Sequence, residues 1–181
     1  MKNSSALSSA GGFTFLELLV TLTIVATLAL SGIGSWQGIA GRNHIRSNIN
    51  KLIHAIYDAR SQALISGSEV VLCPTSNGQS CQTGAGWQMG WMAFRNTDGD
   101  SPPHPDANEA VLHIAGPATG LQIEANRPAF VIRPFGLRST NGTLTFCSRN
   151  RETPPRALIV SYTGKPRSSA TYASGGSLLC T

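Results

Sequence analysis

GFTFLELLVTLTIVATLALSGIGS, Gly12 to Ser35, decides how this chain is organised. Its single charged residue is Glu17, and no charge occurs from Leu18 to Leu30. Phe13 to Ser35 is 23 residues, about 34 Å of helix at roughly 1.5 Å per residue. Crossing a hydrocarbon core of roughly 30 Å takes about 20 residues, so the spacing predicts a transmembrane helix over 13–35. A secretory signal peptide would have an apolar region of only about 7 to 15 residues, ending at a small-residue cleavage site. Here the run is longer and continues into an amphipathic segment. Before it stands MKNSSALSSAGG, residues 1–12, small and polar with one charge at Lys2. Glu17 is the anomaly, because an ionised carboxylate in hydrocarbon is costly and marks a functional site by default. Its bland alternative is a side chain that snorkels to the headgroups.

The residues around Glu17 weigh against snorkelling. Gly12-Phe13-Thr14-Phe15-Leu16-Glu17-Leu18-Leu19-Val20 resembles the G-F-T-x-x-E signature of type IV prepilins and type II secretion pseudopilins. That resemblance implies a leader peptide over 1–12 and a cut between Gly12 and Phe13 by a membrane-embedded prepilin peptidase. It also implies methylation of the new N-terminal Phe13. Glu17, then the fifth residue, would neutralise the α-amine of a neighbouring subunit as filaments assemble. The chemistry is sound, since a buried carboxylate is tolerable when a buried ammonium faces it. One pattern opposes this orientation. Lys2 precedes the span, whereas Arg42, Arg46 and Lys51 follow it, and the positive-inside tendency favours the reverse topology.

Gly32, Gly34, Gly38 and Gly41 come next. Each costs about 1 kcal/mol against Ala in a helix interior. The stretch reads either as a section that can melt or stretch, or as small residues allowing close helix packing in a membrane. Helical periodicity then returns. Ile45, Ile49, Leu52, Ile53, Ile56, Ala59, Ala63 and Leu64 fall at 3.6-residue spacings, with the polar residues mostly elsewhere. An amphipathic helix over 42–66 is expected, stopped at Gly67, and the whole helix runs 13–66. His44 and His54 are ten apart, which excludes an i, i+4 metal pair.

From Ser68 the pattern is β. Short runs at Glu69–Pro74, Trp87–Phe94, Val111–Ile114, Leu121–Glu124, Ala129–Arg133, Thr143–Cys147 and Ala157–Tyr162 are bounded by Gly, Pro, Asn and Ser. Asn141-Gly142 reads as a hairpin turn, and Trp87, Met89 and Trp91 as one core-facing side of a strand. The expected fold is α+β: a long N-terminal helix packed on a mostly antiparallel β-sheet or sandwich-like domain over 67–181. Four cysteines allow three pairings. Short separations favour Cys73 with Cys81 and Cys147 with Cys180, in an oxidising compartment such as the periplasm. No C-x-x-C occurs, so zinc is disfavoured.

The downstream residues extend the resemblance. Ala59-Arg60-Ser61-Gln62-Ala63, Val71-Leu72-Cys73, Gly90-Trp91-Met92-Ala93-Phe94, Asp98-Gly99-Asp100, Phe135-Gly136 and Leu144-Thr145-Phe146-Cys147 look like the GspH/FimT family. That family holds the minor pilins FimT and FimU and the minor pseudopilin GspH. It implies a pilin fold, a place in the inner membrane with a periplasmic domain, and partnership with other pilin or pseudopilin subunits. The expected role is a minor type IV pilin that helps initiate pilus assembly, with a type II secretion pseudopilin as the alternative.

Charge adds a further expectation. The net +5 divides into one basic and six acidic side chains over 68–126 and eight basic and one acidic over 127–181. Gly164-Lys165-Pro166-Arg167 resembles the G-R-x-R motif of DNA-binding FimT proteins, with Lys in the first basic place. Lys165, Arg167, Arg149, Arg151 and Arg156 are therefore candidates for binding double-stranded DNA through its backbone. A solvated basic face, or one complementary to an acidic subunit, is the alternative. Asn96, Asp98 and Asp100 have the spacing of calcium ligands, but position twelve is Ala107 and not a bidentate Glu. No G-x-S-x-G elbow supports a tethered hydrolase, and no catalytic residue, metal or cofactor is expected.

Overall fold

The computed structural model describes residues 12–82, 84–150 and 153–180, without the side chains of 30–37. The leader before Gly12 and Arg151 thus lie outside the described residues, as do the side chains at the end of the expected anchor. The chain divides into one unit ending at Ile39 and another starting at Ala40.

In the first unit the long helix α1 (Phe15–Ser66) begins on a side-chain cap. Thr14 Oγ1 accepts the Glu17 backbone N–H at 3.2 Å, the T-x-x-E spacing of a capping box. The Glu17 carboxylate sits in the first turn, where unpaired N–H groups favour negative charge. Thr21, Thr23 and Thr27 donate their hydroxyls to Leu18 O, Val20 O and Ile24 O at 2.8 to 2.9 Å. These bonds leave the surface of the segment apolar despite its threonines. Among the described residues no helix is long and apolar enough to cross a membrane; the apolar run continues into 30–35, whose side chains are not described.

The second unit is built around the α1 stripe. Ile45, Ile49, Leu52, Ile56, Ala59 and Ala63, spaced by three and four, are all buried to within 1%. Two four-stranded antiparallel sheets meet that stripe. The first has β1 (Glu69–Pro74), β2 (Trp91–Asn96), β3 (Val111–Ala115) and β5 (Phe130–Ile132) in the order β3-β2-β1-β5. The second has β4 (Leu121–Ala125), β6 (Gly142–Ser148), β7 (Arg156–Val160) and β8 (Pro166–Ser169) in the order β4-β6-β7-β8. Val70, Leu72 and Ala93 of the first sheet and Leu121, Ile123, Leu144, Phe146, Leu158 and Val160 of the second share one core with the helix. The alternation of strand side chains sends Val71, Cys73, Met92 and Phe94 to the other face of the first sheet. Ala157 and Ile159 go to the outer face of the second, where Leu178 and Tyr172 of the C-terminal tail cover them. The disulfides are Cys73–Cys81 and Cys147–Cys180, and the second fixes that tail to β6.

Three local expectations are corrected. Trp87–Phe94 is not one strand: Trp87–Met89 is a 3₁₀ turn and β2 begins at Trp91. Gly90 separates them at φ 129, so Trp87 and Trp91 reach the core while Met89 is 47% exposed. Asn141-Gly142 makes no hairpin, because β5 pairs with β1 and β6 with β4 and β7. The chain changes sheets there. Strand β8 was not expected, since its Pro-Arg-Ser-Ser has no alternating apolar pattern.

Candidate functional site

The start of α1 carries the first candidate residues. Gly12, Phe13 and Thr14 precede the helix, and Phe13 is 85% exposed. Glu17 lies three residues inside, also exposed. Phe15, Leu16, Leu18, Leu19, Val20 and Val25 present their side chains outward around it. Sequence and structure agree on a charge held at the N-terminal end of an apolar surface.

The five candidate DNA contacts do not form one face. Lys165 belongs to the β7–β8 connection and Arg167 is the second residue of β8; both are exposed. Arg149 follows β6 and Arg156 opens β7 opposite Phe146, at the other end of the same strand; Arg151 is outside the described residues. Four β-residue rises separate the two ends, about 13 Å. Arg167 pairs with Ile159, on the outer face of the second sheet, whereas Arg156 shares the inner face with its partner Phe146.

At the Lys165 end the structure gathers residues that sequence reading left apart. Arg60, Leu64, Arg133, Phe135, Arg138, Tyr162 and Lys165 line one cleft of about 540 Å³. The β7–β8 turn is held by Gly164 N–H to Ser161 O at 2.9 Å and Lys165 N–H to Ser161 Oγ at 3.2 Å. It packs on the helix so closely that a Cβ at Gly164 would lie 3.3 Å from Arg60 Cδ. Arg138 stacks over the Tyr162 ring at 5.4 Å, a cation–π arrangement. Arg133 donates from Nε to Glu69 Oε1 at 2.6 Å and from Nη1 to Arg138 O at 2.9 Å, so its charge is matched. No ion pair joins Arg60, Arg138 or Lys165 to a described carboxylate. Phe135 is 94% exposed beside them. The cleft thus offers three cations without an ion-pair partner among the described residues, and aromatic faces, which suits anions carried on flat or apolar groups. No spacing in the sequence ties residue 60 to 165.

The acidic loop after β2 serves itself. Glu109 accepts from Thr97 N–H at 2.6 Å and Asp106 N–H at 3.2 Å, Asn96 from Gly99 N–H, and Asp98 from Asp100 N–H. His104 lies against Asp100 and, at 3.3 Å, Asp106. Chiefly the Asp100 charge raises its pKa above the ordinary imidazole value, with Asp106 adding to it. Among the described residues no group of three or more His, Cys, Asp or Glu could hold a metal ion.

Residues 48–164 match the family model of type II transport protein GspH. The chain resembles the type IV minor pilin FimU of Pseudomonas aeruginosa in two crystal forms. Identity is 15% and 16%, with TM-scores of 0.50 and 0.52, over 68% and 72% of this chain and 91% and 92% of FimU. The minor pseudopilin EpsH of the Vibrio cholerae type 2 secretion system matches at 14% identity and TM-score 0.45, over 70% of this chain and 96% of EpsH. No curated protein matches significantly in sequence. The FimU likeness establishes the fold, and the family match, covering more than half of the chain, establishes descent: the chain belongs to the GspH family of minor pilins and pseudopilins.

Proposed function

We propose that this GspH-family subunit is a minor type IV pilin, cut between Gly12 and Phe13, methylated at Phe13, and built into a pilus whose assembly it helps to start. The observation that carries the reading is the first unit of α1. Side chains such as Phe13, Phe15, Leu16 and Val25 are 62 to 85% exposed, an apolar surface of a kind that marks contact with lipid or other helices. Glu17 is its one charge. Before assembly the bilayer of the inner membrane would cover this surface, with the second unit in the periplasm; in the filament, neighbouring helices would replace lipid. Glu17 would then face the α-amine of the adjoining Phe13-type terminus, a pairing whose partners are each costly to strand.

The test is a Glu17→Val variant produced beside the wild type. Processing should proceed, with the mature mass beginning at Phe13, while incorporation into sheared filaments falls about a hundredfold, the loss expected when a buried charge loses a partner worth roughly 3 kcal/mol. Normal incorporation would overturn the Glu17 role, and a mass retaining residues 1–12 would overturn the cleavage assignment. The family match supports one second reading, a pseudopilin of a type II secretion machine. Deletion would distinguish the two, since loss of secretion with intact pili requires the pseudopilin.

Binding of double-stranded DNA is proposed for the Lys165 end alone. Lys165, Arg167 and Arg138 offer exposed positive charge there, and phosphate recognition needs charge more than shape.

A further inference from the structure

At the opposite end of β7 a second cationic cluster is built by three elements. Arg42 and Arg46 stand one turn apart on α1, and Arg156 opens β7. With Ile45, Thr153 and Pro154 they line a pocket of about 160 Å³. Contact between turn and helix is close: a Cβ on Gly41 would overlap the Thr153 hydroxyl, so the spacing of the arginines is set by packing. None of the three forms an ion pair with a described carboxylate. The nearest acid in sequence, Glu152, lies outside the described residues, as does Arg151, while Arg149 adds charge to the same turn. Three arginines lining one pocket concentrate positive potential there, which a bound anion would neutralise.

We infer that Arg42, Arg46 and Arg156 form a site for the phosphate of an anionic phospholipid headgroup. The inference rests on the anchoring of residues 13–35 proposed above. Arg42 follows Ser35 by seven residues, a link of at most about 25 Å in any conformation, short enough for Arg42 to lie at the headgroup layer. Guanidinium groups grip phosphate oxygens in a bidentate fork. Exposed Pro154, with buried Ile45 behind it, gives the carbon part of a headgroup an apolar contact. The site also accounts for cations that follow the span rather than precede it: they serve a folded domain that holds the membrane surface.

The full-length chain, reconstituted into phosphatidylcholine bilayers, tests this. Spin-labelled phosphatidylglycerol should associate with it more than spin-labelled phosphatidylcholine, by about fivefold for each cation engaged. Arg42→Gln/Arg46→Gln should remove most of the selectivity and the triple variant with Arg156→Gln all of it, while Arg138→Gln/Lys165→Gln leaves it unchanged. Equal association of both lipids with the wild type, or selectivity that survives in the triple variant, overturns the site. Competition by inorganic phosphate would make it a free-anion site, and competition by a short DNA duplex a nucleic-acid contact; each also overturns the lipid assignment. Flotation separates the two readings. A chain that floats with phosphatidylglycerol vesicles but not with phosphatidylcholine vesicles has the site without the anchor, and one that floats with neither has lost both.

Discussion

Gly90 shows how one residue sets the shape of a strand. At φ 129 it occupies backbone space that side chains rarely tolerate, and a Cβ there would lie 2.7 Å from Ala115 O and 2.9 Å from Thr75 O. Both are backbone atoms, so neither can swing away. Gly90→Ala should therefore cost about 3 kcal/mol, combining left-handed strain with steric overlap. Urea denaturation followed by circular dichroism would report it as a lowered midpoint, and an unchanged midpoint would refute the argument. The same residue explains a failure of reading. Alternating Trp87, Met89 and Trp91 looks like one strand face, yet the pattern cannot reveal that Gly90 redirects the chain between them. Thr14 and Glu17 were legible in another way, because a T-x-x-E spacing ahead of an apolar run is a local signal that needs no distant contact.

Elements were legible where periodicity was strong and long. The stripe from Ile45 to Ala63 specifies a helix and its buried side together, and β1 has the bounds its sequence suggested. Pairing was less accessible, since which strands are neighbours depends on contacts distant in sequence. Asn141-Gly142 has hairpin chemistry but sits where the chain crosses between sheets. Strand β8 depends on β7 for its pairing, not on its own composition. The C-terminal tail makes a similar point. It covers Ala157 and Ile159 through Leu178 and Tyr172 and is tied by Cys147–Cys180 across 33 residues. On a chain-entropy account, closing such a loop stabilises the fold by about 4 kcal/mol. Cys147→Ala/Cys180→Ala should lose roughly that amount and raise hydrogen exchange in β8. Equal exchange in the variant and the wild type would show that the tail is held without its bridge.

For the whole molecule, charge was legible in amount but not in arrangement. The basic last third read as one surface, whereas the fold puts Arg149 and Arg156 at one end of β7 and Lys165 at the other. Each end also recruits arginines from α1, and no count along the sequence could assign them. DNA binding should follow this division. Lys165→Ala/Arg167→Ala should weaken duplex binding at low salt and lower the slope of log affinity against log salt by about 2. Arg149→Ala should change neither, and an equal loss from Arg149→Ala would restore the single-face view. The helix that carries the apolar N-terminal surface is also the element on which both sheets close. Tension applied through residues before Ala40 would therefore enter the domain at Ile45, Ile49 and Leu52. Several packed contacts along one buried stripe would share that load. A subunit pulled by its stem would be gripped from within.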